Sequence, residues 1–261
     1  MKKRRVNILK KWLSRVIIIA CLGVFFYAAH GLVDIFSDYY KNRKVLNSAQ
    51  ETYYKVTKAE EKEPEETRGN QSEIQPQFVE ILEENEDVVG WITIDDTNID
   101  YPVLQAEDNA YYLTKNLEGE ESRAGSIFLD YRNDIQSDDE KNIVVYGHRM
   151  KDGSMFKHLT KFLDEDYFES HRTFTFDTLY DRYEAEVFAV YNTLTDFNYI
   201  ETDFADDEDY KKLLEKIHDK SLFEADVDVS ANDSIITLST CDYALDEEDG
   251  RLVLHAKLTK Q

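Results

Sequence analysis

Cysteine, glycine and basic residues are all scarce in this sequence, and each shortage narrows the reading. Two cysteines among 261 residues leave little room for a disulfide framework. Cys21 sits inside an apolar run, where a thiol behaves as a small inert hydrophobe. Nine glycines, none arranged as a phosphate-cradling loop, argue against nucleotide binding. Thirty-one basic residues face 54 acidic ones, for a formal net charge of −23. Seven of those basic residues (Lys2, Lys3, Arg4, Arg5, Lys10, Lys11, Arg15) fall in the first 33 positions, which hold no acidic residue. The rest of the chain is therefore strongly acidic and lacks the basic surface that a nucleic-acid backbone requires. Its acidity fits a solvated surface.

Long apolar runs are equally rare. Val16–Val33 is one, interrupted only by Tyr27 and His30, and its 18 residues lie near the lower limit for crossing a bilayer. Trp12, Leu13, Ile35 and Phe36 extend it through the interface. The basic cluster before it, with Asp34 and Asp38 after it, predicts a cytoplasmic N-terminus and an external remainder. A cleaved signal peptide is the alternative, with Tyr27-Ala28-Ala29-His30-Gly31 as its candidate site; the expectation is an uncleaved anchor. Cys241 is then the lone cysteine of the exported part. Such a residue points either to intermolecular pairing or to a reactive thiol.

The predicted organisation is a basic cytoplasmic tail at 1–15, a transmembrane anchor at 16–36, a helical and acidic linker at 37–76, and a folded domain at 77–261. Within the linker, the acidic run from Glu60 to Glu66, Pro64, and Gly69-Asn70-Gln71-Ser72 read as a loose connection. Phe78, Ile81 and Leu82 have helical spacing, so 77–86 is expected to be an amphipathic helix. Short β segments follow at 88–92, 99–104, 126–129, 143–146, 173–176, 183–193, 234–240 and 252–258. Pro102 marks the second as an edge strand or a strand end. Helices are expected between Phe156 and Phe168 and from Tyr210 to His218, the latter opened by Asp206–Asp209. Eight short strands with few long helices predict a mainly β fold with peripheral helices, a closed or nearly closed barrel. The acidic stretches at 138–140, 203–209 and 246–249 lack calcium-loop spacing and read as solvated loops; no metal or cofactor is expected.

Period-two alternation places Leu252, Leu254, Ala256 and Leu258 on the core face of the last strand, and Arg251, Val253, His255 and Lys257 on the other. In the strand before it, Ile236, Leu238 and Thr240 fit the core face, which turns Ser239 and Cys241 away. Cys241 and Arg251 then share a face at adjacent strand ends, joined by the loop 242–250. A nucleophilic cysteine needs a base or an electropositive setting, because the thiolate is the reactive form. Of the histidines, His30 lies in the apolar run, while His158, His171 and His218 have surface or packing settings. His255 is four residues beyond Arg251, roughly 13 Å along a strand. His148 follows an apolar strand in Tyr146-Gly147-His148-Arg149-Met150. There Gly147 permits a tight turn that can hold the imidazole at a strand end, placed for acid–base work.

Tyr-Gly-His-Arg-Met at 146–150, Thr-Leu-Ser-Thr-Cys at 237–241 and Arg251 resemble the signature of sortases, the cysteine transpeptidases of Gram-positive surfaces. The resemblance spans about 77–261 and is closest to class B. It implies an eight-stranded sortase β-barrel with N-terminal helices. It also implies Cys241 as nucleophile, His148 as general acid and base, and Arg251 as the group that stabilises the oxyanion or positions the substrate carbonyl. Ser239 and Thr240 are further substrate-side candidates, although a β-forming role in the strand accounts for Thr240 equally well. The implied partners are surface proteins with a C-terminal sorting motif and the amine of a peptidoglycan precursor. Two other readings stay open: a purely hydrolytic cysteine peptidase, and a non-catalytic acidic module that binds wall polymers or a partner protein.

Overall fold

The computed structural model describes residues 2–60, 74–137, 139–242, 245–246 and 248–261, with the backbone alone at 2–11 and 57–60. The loose connection expected at 61–73 lies outside the described residues, as does Asp138. Two compact units are present, Met1–Lys41 and Asn42–Gln261. The first belongs to α1 (Lys2–Glu60), which is long and apolar enough to cross a membrane. Its apolar side chains, among them Ile17, Ile18, Leu22, Phe25 and Phe26, are exposed.

The second unit is built on a closed barrel. Its strands are β1 (Val88–Thr93), β2 (Asp100–Leu104), β3 (Ile127–Leu129), β4 (Asn142–Tyr146), β5 (Thr173–Thr178), β6 (Arg182–Leu194), β7 (Ser234–Cys241) and β8 (Gly250–Lys260). They run round the barrel in the order β1-β2-β3-β4-β7-β8-β6-β5. The β2–β3 and β4–β7 pairs are parallel and the other pairings antiparallel. Closure removes the edge expected at Pro102. That residue pairs with Trp91 of β1, and the β3 ladder begins only at Val103, so the missing N–H breaks no ladder bond.

Among the described residues three apolar clusters hold the unit together. The barrel interior contains Val145, Ile236, Leu238, Leu252, Leu254 and Ala256, the alternation expected for β7 and β8. The opposite face of those strands is not open to solvent. Ile235 and Val253 pack there with Phe188, Tyr191, Tyr199 and, after the short α3 (Glu165–Ser170) in sequence, the helix α4 (Asp207–Lys220) through Tyr210, Leu214 and Ile217. Asp206 caps α4, its side chain accepting from the Asp209 N–H, as acidic residues at a helix start should. A bulge between Val187 and Ala189 breaks the simple alternation of β6, sending Val187 to the interior and Ala189 to the α4 side.

The third cluster joins the α1 residues Ala49 and Tyr53 to Phe78 and Ile81 of α2 (Pro76–Glu84) and to Trp91. Tyr53 stacks on Trp91 with ring centroids 4.2 Å apart. Its hydroxyl donates to Asp177, which also accepts two bonds from Arg182.

Candidate active site

Cys241 and Arg251 are direct partners across β7 and β8, so their Cβ atoms stand about 5 Å apart on one face. The thiol is half-buried. One terminal nitrogen of Arg251 donates to the carbonyls of Glu248 and Gly250, both at 2.9 Å. These bonds hold the guanidinium beside the strand end. Gly250 can be nothing larger, since a Cβ there would stand 2.2 Å from the Asp242 carbonyl oxygen.

His148 arrives from the other neighbour of β7. Strands β4 and β7 are parallel, with Tyr146 beside Ser239, and the Gly147 N–H donates to the Ser239 carbonyl at 3.2 Å. His148 and Cys241 each lie two residues beyond that last pair, at the same end of strands about 4.8 Å apart. The glycine before the histidine serves space rather than a left-handed turn. A Cβ on Gly147 would meet Ile127 Cδ1 at 2.3 Å and the Phe156 ring at 2.9 Å.

The half-buried imidazole makes a 2.8 Å contact from Nε2 to the carbonyl of Leu113. A carbonyl only accepts, so this bond assigns the donor N–H to Nε2. Among the described residues no hydrogen bond joins His148 to Cys241. Leu113 ends a short 3₁₀ turn, Tyr111–Leu113, whose carbonyls lie against Gly125. That glycine has φ +56°, and a Cβ on it would stand 2.6 Å from the carbonyl oxygens of Leu113 and Tyr112.

The other two sequence candidates sit differently. Ser239 is buried, with its hydroxyl 2.8 Å from the Tyr199 hydroxyl. Thr240 pairs with Leu252 on the barrel-interior side. Its buried Oγ1 has no hydrogen-bond partner among the described residues, and its side chain faces away from Cys241.

Three features have no counterpart in the sequence reading. Tyr199 lies against the cysteine strand. Burial raises its phenol above the ordinary range, while the Ser239 bond and the Arg251 charge oppose the rise and Cys241 adds to it. The backbone around Tyr199 is clamped: Asn142 Nδ2 donates to the carbonyls of Tyr199 (3.0 Å) and Glu201 (2.9 Å), and Arg132 donates to that of Ile200 (2.8 Å). The second feature is the Leu113 carbonyl, a backbone atom that no residue type announces. The third is an ion pair between the residues that follow His148 and Cys241: Arg149 Nη1 donates to Asp242 Oδ1 at 2.9 Å. Opposite charges directly after the two candidates were a usable signal once β4 and β7 were known to be adjacent.

An arrangement with a half-buried thiol, a guanidinium opposite and an imidazole at the next strand end suits thiolate attack on a carbonyl. The fold that carries it is shared with known proteins. Residues 92–259 match the family model described as Sortase domain. The chain is 42% identical to Sortase B of Listeria monocytogenes over 250 residues, covering 96% of this chain and 98% of that protein. The crystal structure of sortase B from B. anthracis in complex with AAEK1 is similar with a TM-score of 0.75 and 54% identity, over 87% of this chain and all of that one. A Staphylococcus aureus sortase B–substrate complex is similar with a TM-score of 0.77 and 36% identity, over 86% of this chain and 99% of that one. With the family match spanning the barrel and the likeness to sortase B running over nearly the whole length, this chain belongs to the sortase family and is a sortase-type cysteine transpeptidase.

Proposed function

We propose that the protein is a membrane-anchored transpeptidase that cleaves surface proteins at a C-terminal sorting motif and joins them to an amine of a peptidoglycan precursor. The observation that carries this is the strand register, which sets Cys241 opposite Arg251 and brings His148 out at the same end of the adjacent strand. The Cys241 thiolate attacks the scissile carbonyl, and Arg251 offsets the charge on the tetrahedral oxygen. His148 gives a proton to the departing amine, leaving a thioester on Cys241. The incoming amine attacks that thioester, His148 takes the amine's proton, and the thiolate departs.

In this reading Leu113 orients the imidazole. Ser239 and Thr240 support the strand end, with hydroxyls turned to Tyr199 and to the barrel interior. The apolar part of α1 is the anchor, with the basic N-terminus in the cytoplasm and the barrel outside. The likeness to a sortase B–substrate complex supports a peptide occupant for the site.

The test is cleavage of a library of sorting-motif peptides by residues 34–261, with mass detection of a thioester on Cys241. Added amine nucleophile should divert product from hydrolysis to ligation. An unchanged product ratio would reduce the activity to hydrolysis. Full activity in Cys241→Ala or His148→Ala would overturn the catalytic assignment.

A further inference from the structure

The β4–β7 ladder stops at Tyr146–Ser239. Beyond it lie His148 and Cys241, whose mutual spacing the barrel ladder no longer sets. Each is followed by a charged residue of opposite sign, and those two residues meet. Arg149 Nη1 and Asp242 Oδ1 are 2.9 Å apart, with side chains only 18% and 6% exposed. A surface ion pair of this kind would hold little, because solvent screens it. A largely buried one is screened far less and is costly to break.

Both partners are fixed to the groups that matter. Arg149 lies in a hairpin that turns back to the barrel: Arg149 bridges to Met155, and the Phe156 N–H donates to the His148 carbonyl at 2.9 Å. Met155 and Phe156 are fully buried in the interior, so this hairpin is anchored on its far side. Asp242 is anchored to the third candidate. Its N–H donates to the Gly250 carbonyl at 2.8 Å, the same oxygen that accepts from Arg251. One ion pair thus ties together the segments carrying His148, Cys241 and Arg251.

We propose that the Arg149–Asp242 ion pair is a positioning latch that sets the His148–Cys241 separation beyond the end of the barrel ladder. It acts through the residues beside it. The inference rests on the assignment of Cys241 and His148 as the reacting pair. Its signature is a loss in the chemical step without loss of substrate binding. A displacement of the acid by an ångström costs on the order of 100-fold in rate.

The experiment is a double-variant cycle with Arg149→Met, Asp242→Asn and both together in residues 34–261, each checked by thermal melting. Steady-state kinetics with a sorting-motif peptide and the pH dependence of Cys241 alkylation are measured in each. Each single variant should lower kcat about 10- to 100-fold with KM within about twofold of wild type. The double variant should lose less than the product of the two single losses, because their shared interaction is lost once. Arg149→Lys, which keeps the charge, should recover most of the rate, and it carries the test if a neutral variant fails to fold. The alkylation profile should shift in both single variants, a change that loss of stability alone would not produce.

Wild-type kcat in a folded Arg149→Met protein would overturn the latch, and so would losses that multiply in the double variant. Cys241→Ala and His148→Ala run alongside. If they keep activity, the catalytic assignment itself fails; if they are dead while Arg149→Met is fully active, only the latch fails.

Discussion

His255 shows how much a single buried side chain can hold. It is fully buried between β7 and β6, and its hydrogen bonds have only one consistent direction. Thr237 Oγ1 donates to Asn142 Oδ1, so it accepts from His255 Nδ1–H, and Nε2 accepts from the Tyr191 hydroxyl. Asn142 then grips the carbonyls of Tyr199 and Glu201. The chain of bonds thus runs from β6 to the backbone beside the cysteine strand. Burial drives the His255 pKa down to about 3, far below the unfolded value of about 6.5. Between those two values the unfolded chain binds the extra proton. The stabilisation is therefore complete above about pH 6.5 and is lost as pH falls toward 3, at up to about 1.4 kcal/mol per pH unit. Asp130 acts in a lower window. Burial alone would raise its pKa, but hydrogen bonds from Arg132, Tyr146 and Asn109 outweigh that and leave it lowered. Its contribution is present above about pH 3.9 and lost below. Urea melts between pH 7 and 4.5 should show wild type losing stability steadily. His255→Asn, though less stable at pH 7, should show a distinctly flatter slope; equal slopes would mean that His255 is not the responsible group.

At the scale of elements, the strands were legible because most of them alternate. The facing of Cys241 and Arg251 followed from that alternation and matches the register. Three things were not legible, each for a physical reason. The β6 bulge changes the facing of Ala189 without any proline or glycine to mark it. The face opposite the barrel interior is covered by α4, and a pattern within β7 and β8 cannot say what packs against it. The Leu113 carbonyl is backbone, and its only trace in the sequence is the glycine that makes room for it. Gly125 gives that trace a test. At φ +56°, with a Cβ forced to 2.6 Å from two carbonyl oxygens, Gly125→Ala must move the 3₁₀ turn that orients His148. The expected cost is 1–3 kcal/mol or so, with a fall in kcat of about 10-fold or more. Gly119→Ala is the matched control. It has φ +75° but open space, its nearest neighbour being the Tyr111 hydroxyl at 3.8 Å. It should lose about 1 kcal/mol of stability and keep wild-type turnover. Equal activity in both variants would remove Leu113 from the mechanism.

At the scale of the whole molecule, the fold needs more than the barrel that sequence alternation reveals. The α1 segment from Asn42 onward belongs to the same compact unit as the strands. There Ala49 and Tyr53 are buried beside Trp91 and Phe78, and Gln50 and Tyr54 hydrogen-bond to Asp100. The boundary drawn from composition, at residue 77, fell after this helix because its apolar positions are sparse. Tyr53 supplies both area and direction: it stacks on Trp91 and donates to Asp177, a carboxylate 1% exposed that otherwise relies on Arg182. A fragment of residues 42–261 should therefore fold and cleave short peptides as well as residues 34–261 do. A fragment of residues 74–261 should expose Trp91 and Phe78 and aggregate or melt far lower. Tyr53→Ala in the longer fragment isolates the effect. Loss of a buried aromatic costs about 3–5 kcal/mol, and for a domain of this size each kcal/mol moves the midpoint by roughly 2–4 °C. A fall in melting temperature of about 10 °C is expected, and Tyr53→Phe should lose only the smaller part that belongs to the hydroxyl. A Tyr53→Ala protein that melts within about 2 °C of its parent would show that the barrel stands without this helix, and the domain would then begin near α2, where composition placed it.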